Sequence, residues 1–248
     1  MGCWIRLLAD EFLKWLGASS GARWLDVCCG SGVVTEAIAE LCSPESVVGI
    51  DASPPQIEFA RMYRTRSGIA FELSDATAVP FPDASFDAAV CGLGLNYISE
   101  PTRALQEMQR VTRSCGTIAA YVWDYAQGAR FLREFWDAAI AVDPEAREFD
   151  QGLRFPMCSP DGPRALFQTI EVKGANLSTL QIVTRFASFD EYWAPLLSGQ
   201  GSAPNYLASR DARIHAAVRD RLQASLPTDP EGSIAMPARA WAIRARCV

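Results

Sequence analysis

The stretch WLDVCCGSG at residues 24–32 decides how this chain of 248 residues folds. Its first four residues form an apolar run, a Gly-Ser-Gly turn ends the run, and residues 33–41 follow with apolar side chains at helical spacing. A strand, a glycine turn and a helix in this order suit a nucleotide-like ligand. Glycine lets the backbone approach the ligand closely, and the free N–H groups at the start of the helix face it.

Strand and helix patterns keep alternating outward from this stretch through the first two thirds of the chain. An amphipathic helix is predicted at residues 5–16, and further strands at residues 47–50, 70–73, 86–91 and 116–123, with helical segments between them. Strands that alternate with helices usually pair in parallel and are covered by helices on both faces. The pattern therefore predicts a parallel sheet with a helix in each connection.

The last third of the chain has a different organisation. Two more strands are predicted at about residues 174–181 and 238–245. We interpret residues 186–227 as a helical insertion between these last two strands, covering the substrate site within a single domain of residues 1–248. A separate domain is the alternative, disfavoured because the segment is short and its flanking strands need each other. The complete expectation is an α/β fold with a seven-stranded, mostly parallel sheet and helices on both faces.

Composition limits the classes of function. With 49% apolar residues the chain has ample surface to bury, which excludes intrinsic disorder. The 23 Lys and Arg residues against 29 Asp and Glu residues give a net charge of −6, which argues against a nucleic-acid partner because such proteins need a basic face. No apolar stretch is long enough for a membrane span and no signal-peptide pattern is present, so we expect a cytoplasmic protein.

Histidine and cysteine usage narrows the chemistry further. His215 is the only histidine, so a multi-histidine zinc site is impossible and any Ser-His or Cys-His pair would have to use it. The eight cysteines show no repeated Cys-x-x-Cys spacing. We therefore expect reduced, mostly buried thiols and no metal site.

Two strand-end aspartates carry the first chemical signal. Asp26 lies at the end of the first predicted strand, and Asp51 closes the second, where a carboxylate can accept hydrogen bonds from both hydroxyls of a ribose. Each signal is weak alone, because strand-end aspartates are common helix caps. A dinucleotide fingerprint would have a third glycine where this chain has Thr35, which argues against a nicotinamide oxidoreductase.

The order of the motifs resembles that of class I S-adenosylmethionine-dependent methyltransferases over about residues 20–125. The matching stretches are residues 24–32, 47–61, 75–76 with 79–86, and 104–116. Residues 189–195 and 238–243 more weakly resemble a small-molecule branch related to the quinone-biosynthesis methyltransferases. The resemblance implies a Rossmann-like fold and methyl transfer from S-adenosylmethionine to a small organic acceptor by in-line displacement.

The resemblance also implies which residues bind S-adenosylmethionine. Asp26 would hold the cofactor's ammonium group through water, Asp51 would bind the ribose hydroxyls, and Asp75 would accept from the adenine amino group. The full set of implied cofactor residues is Asp26, Cys28, Gly30, Gly32, Asp51, Ala52, Gln56, Asp75, Ala76, Gly92 and Leu93.

The chain departs from the family pattern at two places. The family most often has glycine at the position of Cys28, where only backbone atoms would touch the ligand, so binding should survive. The turn before the fifth strand is usually Arg-Pro-Gly-Gly and here reads Arg113-Ser114-Cys115-Gly116. Without the proline and one glycine this turn is less preset, which bears on stability.

Three residues are the main candidates for a catalytic base, should the acceptor need one: Asp124, His215 and Tyr192, with Glu191 as an alternative to Tyr192. Each also has an ordinary structural interpretation, as a strand-end acid, a surface histidine or a core aromatic. The acceptor atom and the oligomeric state, monomer or homodimer, stay open.

Other functions remain possible from the residues alone. The main alternative is a catalytically inactive S-adenosylmethionine-binding scaffold, suggested by the unusual turn at Ser114-Cys115 and by the few residues before the first motif, where an incomplete lid or a truncated start is expected. Different chemistry with the same cofactor, such as cyclisation, is a further alternative.

Overall fold

The computed structural model describes residues 2–17, 20–197 and 201–248. Its seven strands are Arg23–Val27 (β1), Ser46–Asp51 (β2), Ile69–Leu73 (β3), Phe86–Gly92 (β4), Thr112–Trp123 (β5), Val172–Phe186 (β6) and Ile234–Cys247 (β7). Its helices are Gly2–Leu16 (α1), Val33–Leu41 (α2), Pro54–Tyr63 (α3), Pro101–Val111 (α4), Arg130–Val142 (α5), Gln151–Arg154 (α6), Asp161–Phe167 (α7), Phe189–Trp193 (α8), Ser202–Ala208 (α9) and Ala212–Ser225 (α10).

The strands form one sheet in the order β3-β2-β1-β4-β5-β7-β6. β1 pairs in parallel with β2 and β4, β2 with β3, and β4 with β5. The sheet as a whole is mixed, so the prediction of a mostly parallel sheet was wrong. Almost every residue of β1 and β4 is buried, whereas buried and exposed residues alternate along much of β6 and β7. Such alternation is typical of antiparallel strands with one solvated face, and the strand–helix repeat of the first strands does not extend to these two.

The chain forms two compact units. The larger, here called the sheet unit, contains residues 2–122, 160–180 and 241–248, and the helical unit contains residues 123–159 and 181–240. β5, β6 and β7 each contribute residues to both units. α8, α9 and α10 follow β6 and precede β7 along the chain. The single domain and the insertion at residues 186–227 stay predictions, and residues 198–200 of that insertion lie outside the described residues.

Each unit has its own buried core. In the sheet unit, α1 packs on α2, and Phe12, Trp24 and Ile50 are almost completely buried. In the helical unit, α5 packs on α10, and the rings of Trp136 and Tyr206 lie 5.8 Å apart. Burial of large apolar side chains is the main favourable contribution to folding in both units.

β5 begins earlier than predicted. The sequence predicts a turn at residues 113–116 before the strand, but Thr112 already pairs with Phe86 of β4. The pairing register shifts between Phe86 and Ala88, and Cys115 has a left-handed φ of 61°. The expected turn is therefore an irregularity inside the strand, where β5 advances five residues, from Thr112 to Thr117, while β4 advances two.

Membrane-spanning helices were also considered. Of the helices in the described part of the chain, none combines the length and the apolar character that crossing a bilayer requires.

Candidate functional site

A cleft of about 590 Å³ lies where the first four strands end, within the sheet unit. In parallel sheets ligands commonly bind at the carboxyl ends of the strands. The lining residues come from the segments that follow β1, β2, β3 and β4, and they are Cys28, Gly30, Ile50, Asp51, Ala52, Ser53, Gln56, Ser74, Asp75, Ala76, Thr77, Leu93, Gly94, Tyr97, Ile98 and Ser99. Four sequence-distant segments thus form one concave surface.

Most of the residues implied to bind the cofactor line this cleft. They are Cys28, Gly30, Asp51, Ala52, Gln56, Asp75, Ala76 and Leu93. Asp26, Gly32 and Gly92 are not among the lining residues. The sequence analysis missed residues 97–99, which follow β4 and lack a motif that would have identified them.

The loop after β1 has an unusual backbone that brings it close to its neighbours. Cys28, Gly30 and Gly32 have φ values of 57°, 53° and 81°, and Leu93 after β4 has 60°. A Cβ on Gly32 would lie 2.7 Å from the Phe71 ring, so only glycine fits there. Non-glycine residues in the left-handed region carry a strain of about 1–3 kcal/mol, which is found most often at functional sites.

The Asp51 carboxylate links the loop after β1 to the start of α3. Its Oδ2 accepts from the Gly30 N–H at 2.9 Å, and its Oδ1 accepts from the Ser53 N–H at 2.9 Å. A carboxylate offers about four acceptor positions, so both oxygens can accept further hydrogen bonds from a ligand in the cleft. Two neighbouring hydroxyl groups, as in a ribose, match this geometry.

Asp75 presents a second carboxylate to the cleft. Its Oδ1 accepts from both the N–H and the hydroxyl of Thr77, each at 2.8 Å. The backbone hydrogen bond from Thr77, together with the hydroxyl, lowers the pKa of the Asp75 carboxyl. Asp75 therefore stays ionised and fixed in orientation, with capacity to accept from an amino group.

Asp26 lies fully buried at the end of β1. Its Oδ2 accepts from the Thr35 hydroxyl at 2.6 Å, while its Oδ1 has no hydrogen-bond partner among the described residues. Burial raises the pKa of this carboxyl to about 7. A buried acceptor without a partner is costly unless a ligand supplies a donor. The unpartnered carboxylate oxygen of Asp26 therefore fits the ammonium group of the cofactor that the resemblance implies.

Three further side chains have buried polar atoms that lack a partner within the part of the chain that the structure describes. They are the Trp24 indole in β1, the Tyr121 hydroxyl near the end of β5 and the Asn96 amide after β4. A Cβ on Gly92 would lie 2.7 Å from the Tyr121 hydroxyl oxygen, so glycine allows this hydroxyl to approach β4. Burial raises the pKa of the Tyr121 phenol far above its ordinary value, so it stays neutral.

The three candidate bases all lie in the helical unit. Asp124 is buried and its Oδ2 accepts from Nε and Nη2 of Arg239 at 2.8 and 2.6 Å. Its Oδ1 accepts from the Gln127 N–H at 3.1 Å. The ion pair with Arg239 and the hydrogen bond from Gln127 hold this carboxylate in place, so the arrangement stabilises the turn after β5.

Tyr192 and His215 also have partners. The Tyr192 hydroxyl donates to the Phe131 carbonyl at 2.9 Å, and burial raises the pKa of this phenol well above its ordinary range. His215 Nε2 contacts the Leu207 carbonyl oxygen. Because a carbonyl only accepts, this contact assigns the ring proton to Nε2 and leaves Nδ1 as the basic nitrogen.

Metal-binding groups were searched for as well. In residues 2–17, 20–197 and 201–248, no three His, Cys, Asp or Glu side chains come together in a way that could hold a metal ion.

Comparison with known proteins adds family information to this geometry. Residues 25–120 match the family model described as a methyltransferase domain. The chain is 40% identical to a demethylmenaquinone methyltransferase of Renibacterium salmoninarum over 46% of this chain and 45% of that protein. It is 31% identical to a 2-phytyl-1,4-naphtoquinone methyltransferase of a Synechocystis species over 64% of this chain and 72% of that protein.

A solved structure shares the fold. The YcgJ protein of Bacillus subtilis superposes with a TM-score of 0.64 at 17% identity, covering 97% of this chain and 98% of that one. The matched region spans 45% of the length of the Renibacterium relative, so this match does not assign the activity of that whole protein to this chain.

Proposed function

Because the chain belongs to the class I S-adenosylmethionine-dependent methyltransferases of the quinone-biosynthesis type, we propose that it transfers a methyl group from S-adenosylmethionine to a small organic acceptor. The observation that carries the proposal is the cleft of the sheet unit. It presents the carboxylates of Asp51 and Asp75, and the buried Asp26 lies at the end of an adjoining strand with one oxygen unpartnered.

The proposed binding mode assigns one group of the cofactor to each aspartate. Asp26 accepts from the ammonium group, directly or through water, Asp51 accepts from the ribose hydroxyls, and Asp75 accepts from the adenine amino group. The backbone of residues 28–32 surrounds the methionine part, and Ala52, Gln56 and Ala76 pack along the adenosine. Gly32 and Gly92 in addition allow close packing, against Phe71 and Tyr121 respectively.

The chain's own contribution to the reaction is positioning. The cofactor, when bound, supplies a methyl group on a carbon that the sulfonium already activates. The protein holds the acceptor atom in line with that carbon, and alignment of two reactants accounts for a large share of the rate gain in such reactions. No covalent bond to a side chain is needed.

The acceptor class is proposed from the relatives. Two of them are named for naphthoquinone-type acceptors, so a quinone or quinol ring is the first acceptor to test. We further propose that the insertion at residues 186–227 covers the acceptor. The net charge of −6 supports an acceptor other than nucleic acid.

Where the acceptor needs a base, His215 is the strongest of the three candidates. Asp124 forms an ion pair with Arg239, and the Tyr192 hydroxyl already donates a hydrogen bond to the Phe131 carbonyl. Only His215 retains a basic nitrogen, Nδ1, in the tautomer that its Leu207 contact favours. A His215→Gln variant that loses turnover while it still binds S-adenosylmethionine would support this role, and an unchanged turnover rate would contradict it.

Calorimetric titration of S-adenosylmethionine and of its demethylated product tests the cofactor site. We expect micromolar binding to the wild type and at least tenfold weaker binding, about 1.4 kcal/mol, to Asp51→Ala. Ser225→Ala serves as a matched control, because Ser225 lies in the helical unit at the end of α10. Absence of binding to folded wild type would contradict the proposal.

Turnover then separates an enzyme from a scaffold. Methyl transfer to a naphthoquinol by purified protein would exclude the inactive scaffold. Tight cofactor binding without turnover across a broad acceptor screen would favour it.

A further inference from the structure

Two cysteine thiols meet at the cofactor cleft. Cys28 follows β1 and lines the cleft, and Cys91 lies in β4 with no exposed surface. A Cβ on Gly94 would lie 2.9 Å from Cys91 Sγ and 3.2 Å from Cys28 Sγ, so both sulfur atoms flank the same point. A hydrogen bond with Cys28, together with burial, raises the pKa of the Cys91 thiol well above its ordinary value. Both are free cysteines.

The neighbouring Cys29 faces other residues. Its Sγ contacts the Gly30 carbonyl at 3.7 Å, and its side chain belongs to a buried cluster with Ile57, Ala60 and Phe71. A Cβ on Gly49 of β2 would lie 3.0 Å from this sulfur. Cys29 therefore lies against β2 and α3, while Cys28 lies against the segment after β4.

We infer that Cys28 and Cys91 form an oxidisable dithiol, which a hydroperoxide converts to a disulfide in the wall of the cofactor cleft. Cys28 reacts first because it is partly exposed, whereas Cys91 is fully buried. Cys91 then acts as the resolving thiol because its sulfur and that of Cys28 flank the same point at Gly94, and the raised pKa of the buried Cys91 thiol makes this second step the slower one.

The chemistry balances with one hydroperoxide per disulfide. The Cys28 thiolate attacks the peroxide oxygen, which breaks the O–O bond and gives Cys28 sulfenic acid and an alcohol, or water from hydrogen peroxide. The Cys91 sulfur then attacks the Cys28 sulfur and expels water. Two thiols are oxidised by two electrons, and the peroxide is reduced by the same two.

The position of the dithiol couples its oxidation to the contents of the cleft. Cys28 also has a left-handed φ of 57°, so its backbone is already constrained in the loop that carries Gly30 and Gly32. A ligand over this loop shields Cys28 from peroxide, which slows the oxidation without changing its equilibrium. The disulfide also ties Cys28 in this loop to Cys91 of β4, so we expect it to shift the loop and weaken ligand binding. By thermodynamic linkage, the bound ligand then disfavours the disulfide by the same factor. This coupling rests on the proposed function, whereas the oxidation itself does not.

Peptide mapping of the full chain tests the disulfide. The reduced protein is treated with hydrogen peroxide, alkylated and digested, and we expect a cross-linked peptide pair containing Cys28 and Cys91. Cys115→Ser is the matched control, since Cys115 is exposed and the cross-link should persist without it. A link between Cys28 and Cys29, or no oxidation of Cys28, would overturn the inference.

Two variants test the order of the steps. In Cys91→Ala the reaction should stop at Cys28 sulfenic acid, which dimedone traps and which otherwise proceeds to sulfinic acid. In Cys28→Ser the buried Cys91 should stay reduced. If the wild type forms Cys28 sulfinic acid as fast as Cys91→Ala does, Cys91 is not the resolving thiol. Should either variant fail to fold, the cross-link in the wild type still decides.

The coupling has a separate readout. Saturating S-adenosylhomocysteine should slow disulfide formation at least tenfold, and the oxidised protein should bind it at least tenfold more weakly until dithiothreitol restores affinity. An unchanged affinity after complete oxidation would overturn the coupling. If the disulfide forms but the reduced protein binds no S-adenosylhomocysteine, the dithiol stands and the proposed function fails.

Discussion

The sheet unit and the helical unit differ in how completely their buried carboxylates are hydrogen-bonded. In the helical unit, the buried Asp150 carboxylate is held by Arg133 at 2.8 and 3.1 Å, and the half-buried Asp143 accepts from the Tyr206 hydroxyl at 3.0 Å and from Arg210 at 2.8 Å. In the sheet unit, the buried Asp26 leaves one carboxylate oxygen without a partner in the described part of the chain.

The same contrast applies to the candidate bases. Asp124 and Tyr192 have well-formed partners in the helical unit, and such satisfied groups stabilise a scaffold. The left-handed non-glycine residues of the described chain and the unpartnered groups named above lie in the sheet unit, and two of these residues, Cys28 and Leu93, line its cleft. Strained residues and unpartnered polar groups are typical of a ligand site, whereas fully hydrogen-bonded polar groups are typical of the structure that supports it.

The largest expected effect comes from breaking the ion pair of Asp124. Arg239→Ala should lower the free energy of unfolding by about 3 kcal/mol, because it leaves a buried carboxylate without its cation. Chemical denaturation measures this loss. The affinity for S-adenosylmethionine should stay within twofold of the wild type at a temperature where the variant is folded. A stable variant with much weaker cofactor binding would reverse the assignment of Asp124 to the scaffold.

The second prediction separates two contributions to the stability loss of a glycine-to-alanine substitution: the strain of a left-handed φ and the steric contact of the added Cβ. Gly32→Ala should cost about 2 kcal/mol or more, because the added Cβ meets the Phe71 ring at 2.7 Å in addition to the strain of a φ of 81°. Gly21→Ala is the matched control, with a φ of 72° and nothing within 4 Å, and should cost about 1 kcal/mol. Equal losses in denaturation midpoints would show that the contact with Phe71 is unimportant.

The third effect is a pH dependence of cofactor affinity. Asp26 must be ionised to accept from an ammonium group, and its pKa in the ligand-free protein is raised to about 7. Affinity should therefore rise with pH and be about tenfold lower one unit below this pKa than well above it. Calorimetry between pH 5.5 and 7.5 measures this dependence. Asp26→Asn should remove it, and the same slope in that variant would assign the titration to another group.

Stability of the ligand-free protein should show the opposite trend. Because the folded pKa of Asp26 exceeds the unfolded value, the folded state holds a proton that the unfolded state has released. The contribution of Asp26 to stability is therefore present below pH 4 and is lost as the pH rises through about 7. In Asp26→Asn this loss should be absent.

The smallest expected effect is at Tyr192. Tyr192→Phe removes the hydrogen bond to the Phe131 carbonyl and should lower the unfolding free energy by about 1 kcal/mol. The turnover rate should be unchanged within twofold. A large loss of turnover at unchanged stability would restore Tyr192 as a catalytic residue.

The cleft was largely predictable from the sequence because its determinants are local. Asp51 is the last residue of β2 and Gly30 lies three residues after β1. A strand, a turn and a following helix can be identified from the hydrophobic period and the glycine positions. The carboxyl ends of neighbouring parallel strands then bring such residues to one edge. The same local patterns predicted α2 at residues 33–41 with its observed bounds.

The sequence by itself therefore determined the strand–helix order, the glycine turn and the acids that line the cleft. Tertiary structure decided which polar groups meet across long separations. Arg239 pairs with Asp124, which lies 115 residues away in the sequence. Cys91 of β4 lies near Cys28, which follows the neighbouring strand β1. Asp26 is a buried acid with an unpartnered oxygen. These pairings depend on strand order and on burial, which local periodicity does not encode, and they determine which side chains support the fold and which await a ligand.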